Sequence, residues 1–78
     1  MNRDYGNSHY TTHYLDNKDE GYAGLELYCT VKGRADRVAT VFFWDASGQF
    51  FLETFSTDVP VDIVEELIAE AKSVIKTT

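Results

Sequence analysis

From Gly24 the chain alternates apolar and polar side chains with a period of two: Leu25, Leu27, Cys29 and Val31 face one way, and Glu26, Tyr28, Thr30 and Lys32 the other. That alternation predicts a half-buried antiparallel strand. Gly33-Arg34-Ala35-Asp36 follows as a polar turn. The run Arg37-Val38-Ala39-Thr40-Val41-Phe42-Phe43-Trp44 then predicts a second strand, because β-branched and aromatic side chains pack well on a pleated surface and lose rotamer freedom in a helix. Asp45-Ala46-Ser47-Gly48 is a further turn, and Gln49-Phe50-Phe51-Leu52-Glu53-Thr54-Phe55 a third strand.

After Phe55 the period changes. Ser56, Thr57 and Asp58 offer N-cap oxygens, Pro60 suits a first turn, and Asp62, Glu65 and Glu66 place negative charge near the positive end of the helix dipole. Val64, Leu67, Ile68, Ala71, Val74 and Ile75 recur at helical spacing, with Glu65, Glu66, Glu70, Lys72 and Lys76 largely on the wet side. One amphipathic helix over residues 60–76 is predicted. Short turns favour sequence neighbours as sheet neighbours, so the expected fold is α+β: a three-stranded antiparallel β-meander with one C-terminal helix packed on one face. Residues 1–20, dominated by Asn, Asp, Ser, Thr, His and Tyr, show no periodicity and read as a flexible polar leader before a single domain at 21–78.

One helix covers one face of a sheet, yet the strands carry apolar groups on both. Val41 and Phe43 oppose Val38, Phe42 and Trp44 on the second strand, and Phe51 and Phe55 oppose Phe50 and Leu52 on the third. The residues expected on an uncovered face are Tyr28, Phe42, Trp44, Phe50 and Leu52. Such a patch exceeds what isolated soluble proteins usually expose. A second copy, the Tyr-rich leader, or a partner or ligand would have to cover it. Cyclic dimers are the commonest assemblies, so a homodimer is the leading expectation. Val41, Phe43, Val64, Leu67, Ile68 and Ala71 are assigned to the core.

Charge and composition narrow the partners. Seven Lys and Arg oppose thirteen Asp and Glu in 78 residues, a formal net charge of -6, while 44% of residues are hydrophobic and 14% aromatic. The chain can build a core, and its negative field disfavours phosphate backbones and anionic lipid surfaces. No run approaches the roughly 20 apolar residues that span a bilayer, and the opening residues lack the apolar segment of a secretory signal. A cytoplasmic location and no membrane partner are expected.

The reactive side chains read as structural. His9 and His13 stand four apart, but the surrounding Gly, Asn, Ser and Thr make a poor helix on which to pair two metal ligands. Cys29 shares the apolar parity, which disfavours a thiolate, and a single cysteine forms no internal disulfide. Ser47 and Ser56 have no histidine nearby in the folded body, and Asp45 and Glu53 have little material between them for a cleft. Asp45-Ala46-Ser47-Gly48 offers too few oxygens for calcium. The acidic series Asp58, Asp62, Glu65, Glu66 and Glu70 reads as a solvated helix face. No cofactor, metal or catalytic centre is expected.

Two likenesses bear on function. The β-β-β-α order, with Lys32, Arg34 and Arg37 near the first hairpin turn, resembles the later part of double-stranded RNA-binding domains, which implies contact with phosphates and duplex shape. This chain lacks that family's preceding helix and opens its own helix with acids, so nucleic acid is not an expected partner. Residues 25–68, with Phe43-Trp44-Asp45-Ala46-Ser47-Gly48-Gln49 ending a strand and Val59-Pro60 opening the helix, look like the repeats of PepSY-like domains. That resemblance implies a noncatalytic binding or regulatory module, although this chain lacks the export signal most of those proteins carry. The function expected is a small noncatalytic protein–protein interaction or regulatory module acting as a homodimer. The alternative is a small-ligand-binding or sensor module built on the aromatic face around Trp44.

Overall fold

A computed structural model describes residues 1–76, so the last two residues of the expected 21–78 domain lie outside the described part. Among these residues five strands, β1 (Asn2–Tyr5), β2 (Ser8–Asn17), β3 (Tyr22–Val31), β4 (Arg34–Trp44) and β5 (Gln49–Thr54), precede one helix, α1 (Val61–Val74). Strands pair in chain order, β1-β2-β3-β4-β5, each antiparallel to the next. The expectation of a three-stranded meander is therefore corrected to a five-stranded one, while the α+β class and the C-terminal helix stand.

The additional strands come from the polar N-terminal stretch. Gly6 at φ 60° takes the first central position of a two-residue turn, and the chain folds back so that Arg3 lies opposite Tyr10 and Asp4 opposite His9. β2 then pairs along β3, from His9 against Thr30 to Asn17 against Tyr22. The stretch offers few aliphatic side chains because little of β2 enters the core: Tyr10 is its one buried apolar residue.

The β3–β4 turn is also shorter than predicted. Lys32 and Gly33, at φ 51° and 80°, form the two-residue hairpin turn whose backbone twist matches that of the flanking strands, and Arg34, Ala35 and Asp36 are already strand. The non-glycine Lys32 accepts that left-handed geometry at some local strain.

Leu25, Leu27, Val38, Ala39 and Val41 on the sheet pack with Ile63, Leu67, Ala71 and Ile75 of the helix segment, and Tyr10 completes the cluster. Full burial of a leucine such as Leu67 contributes about 1.5–3 kcal/mol relative to exposure. Ile63 belongs to this core although the expected stripe began at Val64. Val64 and Ile68 are half-buried and Val74 is exposed. The helix opens without a side-chain cap: Pro60 occupies the cap position and its carbonyl accepts the Ile63 and Val64 N–H groups, each at 3.0 Å. Ser56, Thr57 and Asp58 supply no cap bond.

A bulge interrupts the β3–β4 register. Leu27 faces Ala39 while Tyr28 faces Arg37, leaving Val38 as the extra residue. Simple alternation puts Val38 with Phe42 and Trp44. The bulge instead gives Val38 to the helix-side core and turns Arg37 to the opposite face.

Candidate functional site

Opposite the helix, the sheet presents an open face with two distinct halves. The half near the β2–β3 and β4–β5 loops is aromatic. Tyr22 and Trp44 are register partners with ring centroids 4.8 Å apart, and Phe42 meets Tyr22 edge-on at 5.6 Å. Gly24 sits beneath the Phe42 ring. A Cβ there would lie 3.3 Å from that ring and from the Val41 carbonyl, and 3.4 Å from Leu15, so the missing side chain lets Phe42 settle onto the backbone. Phe51, opposite Phe42 on β5, extends this surface and is 49% exposed, against 36% for Trp44.

The loops behind this cluster are braced. Asn17 and Trp44 carbonyls accept the Gly21 and Gly48 N–H groups at 2.9 and 2.8 Å, and the Asp45 N–H donates to the Gly21 carbonyl at 2.9 Å, tying one loop to the other. A shallow depression lined by Leu15, Asp16, Asn17, Lys18, Asp19 and Tyr22 runs from the aromatic rings onto the β2–β3 loop.

The other half of the face is organised by Glu26, only 8% exposed. Arg37 Nη1 donates to its Oε2 at 2.8 Å, the Tyr28 hydroxyl donates to Oε1 at 3.3 Å, and His13 Nδ1 lies 3.4 Å from Oε1. Burial by itself would raise the carboxyl pKa, but the hydrogen bonds from Arg37 and His13, the Arg37 charge and the Tyr28 hydroxyl together outweigh it and hold the pKa below the ordinary glutamate value. Hydrogen bonding to Glu26 raises the Arg37 pKa in return. The guanidinium also stacks over the Phe55 ring at 4.6 Å. Beside this network the fully buried Thr40 hydroxyl has no hydrogen-bond partner among the described residues.

The five residues assigned to an uncovered face divide between both sides of the sheet. Phe42 and Trp44 lie together in the aromatic half. Tyr28 is on the same face but in the polar half, six residues along β3 from Tyr22 and so about 20 Å away. Phe50 and Leu52 belong to the helix side, since Phe50 faces Phe43 with rings 5.0 Å apart, Leu52 faces Val41, and Lys72 of the helix lies over Phe50. Tyr22 and Phe51 are the aromatic residues that the sequence reading left out. Tyr22 was detectable as the first member of the β3 alternation, two positions before Gly24.

The remaining candidates are scattered. His9 and His13 share the open face of β2, where His9 Nδ1 pairs with Asp4 at 2.5 Å and His13 joins Glu26. Cys29 is half-buried on the helix side beside Tyr10, whose phenol is pushed up first by burial and then by the neighbouring thiol. Among the basic residues, Arg34 pairs with Asp36 at 3.3 Å and Arg37 with Glu26. The acidic helix residues reach the sheet edge: Glu66 takes Arg3 at 2.8 Å, while Glu70 accepts from Thr12 and the Met1 amine. Asp45 lies in the β4–β5 loop and Glu53 on β5 opposite Thr40. Among the described residues no group of three or more His, Cys, Asp and Glu is placed to hold a metal ion, and no helix is long and apolar enough to cross a membrane.

No protein-family model matches the chain, and no curated protein or solved structure is significantly similar to it. The likenesses to PepSY-like repeats and to double-stranded RNA-binding domains gain no support, and the functional reading rests on geometry.

Proposed function

We propose that this protein is a noncatalytic interaction or regulatory module that acts as a homodimer and presents the aromatic half of its open sheet face to a protein partner. The observation that carries the reading is the placement of Tyr22, Phe42, Trp44 and Phe51 on the side without a helix, with Trp44 and Phe51 substantially exposed. Aromatic residues grouped on a rigid surface supply large contact area at little entropic cost, which is why they dominate binding hot spots. The polar half supports the same reading, since Glu26 is already engaged by groups of its own sheet and stiffens the surface beside the rings.

Sedimentation equilibrium from micromolar to millimolar protein tests the homodimer: the mass should rise from one chain toward two. An apolar fluorescent dye, anilinonaphthalene sulfonate, tests the face. Its emission should rise with the native protein and stay low with Trp44→Lys, while a rise unchanged by that substitution removes Trp44 from the working surface. The depression beside Tyr22 favours one second reading, a small planar ligand held at the edge of the aromatic cluster. A dye signal lost on altering Leu15 but kept in Trp44→Lys would favour that reading.

A further inference from the structure

β5 forms one outer edge of the sheet, and its composition is unusual for an edge. Gln49-Phe50-Phe51-Leu52-Glu53-Thr54 contains no Pro or Lys, and it exposes an apolar side chain on each face: Phe51 is 49% exposed on the open face and Leu52 46% on the helix side. Edge strands normally carry devices that block pairing. β1, at the other edge, is four residues long, with Arg3 held by Glu66 and Asp4 by His9. A partner lying on the open face would cover Phe51 and leave Leu52 in water, whereas a strand added alongside β5 covers both.

We infer that β5 pairs antiparallel with β5 of a second copy, joining two five-stranded sheets into one continuous sheet across a two-fold axis. This inference rests on the homodimer reading and names the joint.

The backbone is set for it. The Phe55 N–H donates inward to the Val38 carbonyl at 3.1 Å. Successive residues of a strand turn their N–H and C=O groups to alternate sides, so Glu53 and Phe51 also point toward β4 while Phe50, Leu52 and Thr54 point outward. A two-fold axis perpendicular to the sheet keeps every side chain on its own face only when residues of equal parity oppose each other. Centring the register on Phe51 sets Phe51 against Phe51 of the second copy, Phe50 against Leu52, and Gln49 against Glu53. Phe50 and Leu52 then exchange the outward hydrogen bonds, and an amide meets the carboxylate. Centring on Leu52 would put Phe51 against Glu53, and centring on Glu53 would oppose two carboxylates. Charge and apolar matching both select Phe51.

The helices leave room for this contact. α1 packs on β3 and β4, and at about 4.8 Å per strand the axis falls roughly 10 Å from the line between those strands. The two helices would stand about 20 Å apart, wider than their diameter of about 10–12 Å, with Phe50, Leu52 and Lys72 of each copy between them. A contact of one short strand per copy lies at the small end of the interface range, below about 1,200 Å² in total, so the dimer should form reversibly with concentration. It would also join the two aromatic half-faces through Phe51.

The test combines sedimentation with crosslinking of the full chain. Leu52→Pro removes an outward N–H and leaves the inward hydrogen bonds to β4 in place. It should keep the native circular dichroism and weaken dimerisation about tenfold or more. Opposed residues at a non-hydrogen-bonded antiparallel pair have Cα atoms about 4.5 Å apart, within disulfide reach. Phe51→Cys in a Cys29→Ala background should therefore form an intermolecular disulfide under mild oxidation, and Asn7→Cys in the same background should not. If Leu52→Pro fails to fold, the crosslink decides. A native protein that stays one chain at every concentration overturns both the inference and the homodimer reading. A dimer that survives Leu52→Pro and gives no selective Phe51→Cys crosslink overturns the β5 joint alone and leaves the homodimer standing.

Discussion

The two faces of this sheet are held by different physics. On the helix side, Leu25, Leu27, Ala39 and Val41 meet Ile63, Leu67 and Ala71, and stability follows from removing hydrocarbon from water and filling space. On the open side the buried polar side chains are Glu26 and Thr40, one satisfied through directional hydrogen bonds and the other without a partner among the described residues. The covered face therefore tolerates little change in volume, and the open face little change in charge or polarity.

The largest expected effect lies in the covered face. Leu67→Ala should lower the unfolding free energy by about 2–5 kcal/mol, measured by urea denaturation, since it removes buried atoms and leaves a cavity between helix and sheet. A cost near zero would mean that the helix is not the principal cover of this face.

Glu26→Gln probes the charged half of the open face. Arg37 is about half exposed, so solvent screens part of the interaction, and the expected loss is about 1–2 kcal/mol at neutral pH. The pH dependence is more specific. The Glu26 carboxyl has a folded-state pKa below its unfolded value, so it contributes stability above the unfolded glutamate pKa of about 4.3 that is lost as pH falls through the folded one. Native protein should lose stability more steeply than Glu26→Gln across that acid range. Parallel curves would remove Glu26 as the source.

Thr40→Val runs in the opposite direction. Replacing an unpartnered buried hydroxyl with a methyl of similar shape should stabilise the protein by about 1 kcal/mol. Destabilisation would show that the hydroxyl has a hydrogen-bond partner in solution. The smallest effect belongs to Arg3→Gln, where the ion pair with Glu66 is about two-fifths exposed at both ends. No more than about 0.5 kcal/mol should be lost, and high salt should erase the difference.

The same contrast explains which elements were legible in the sequence. β3, β4, β5 and α1 announce themselves because their residues face a hydrophobic core or a crowded aromatic surface, which writes a period into the chain. β1 and β2 do not, because α1 reaches them with polar groups: Glu70 bonds Thr12 and Glu66 bonds Arg3, so positions facing the helix need not be aliphatic. Tyr10, Thr12 and Tyr14 nevertheless keep one parity, and Gly6-Asn7 stands just before that run. That two-residue turn was the available signal for an N-terminal hairpin. In the candidate site, Phe42 and Trp44 were readable from strand parity. Phe50 and Leu52 fall on the helix side instead, because parity within β5 says nothing about which face it shares with β4; the pairing of Phe43 with Phe50 decides that.

Shortening a chain inside a strand is ordinarily ruinous, since losing one residue sends everything beyond it to the wrong side of the sheet. Position 38 should be an exception. Because Val38 is surplus to the β3–β4 ladder, excising it would leave Tyr28 opposite Arg37 and Leu27 opposite Ala39, and the penalty would be one vacated hydrophobic site and the loss of the carbonyl that accepts the Phe55 N–H. A deletion scan through β4 should therefore show a single tolerated gap at that position, flanked by losses of folding on both sides.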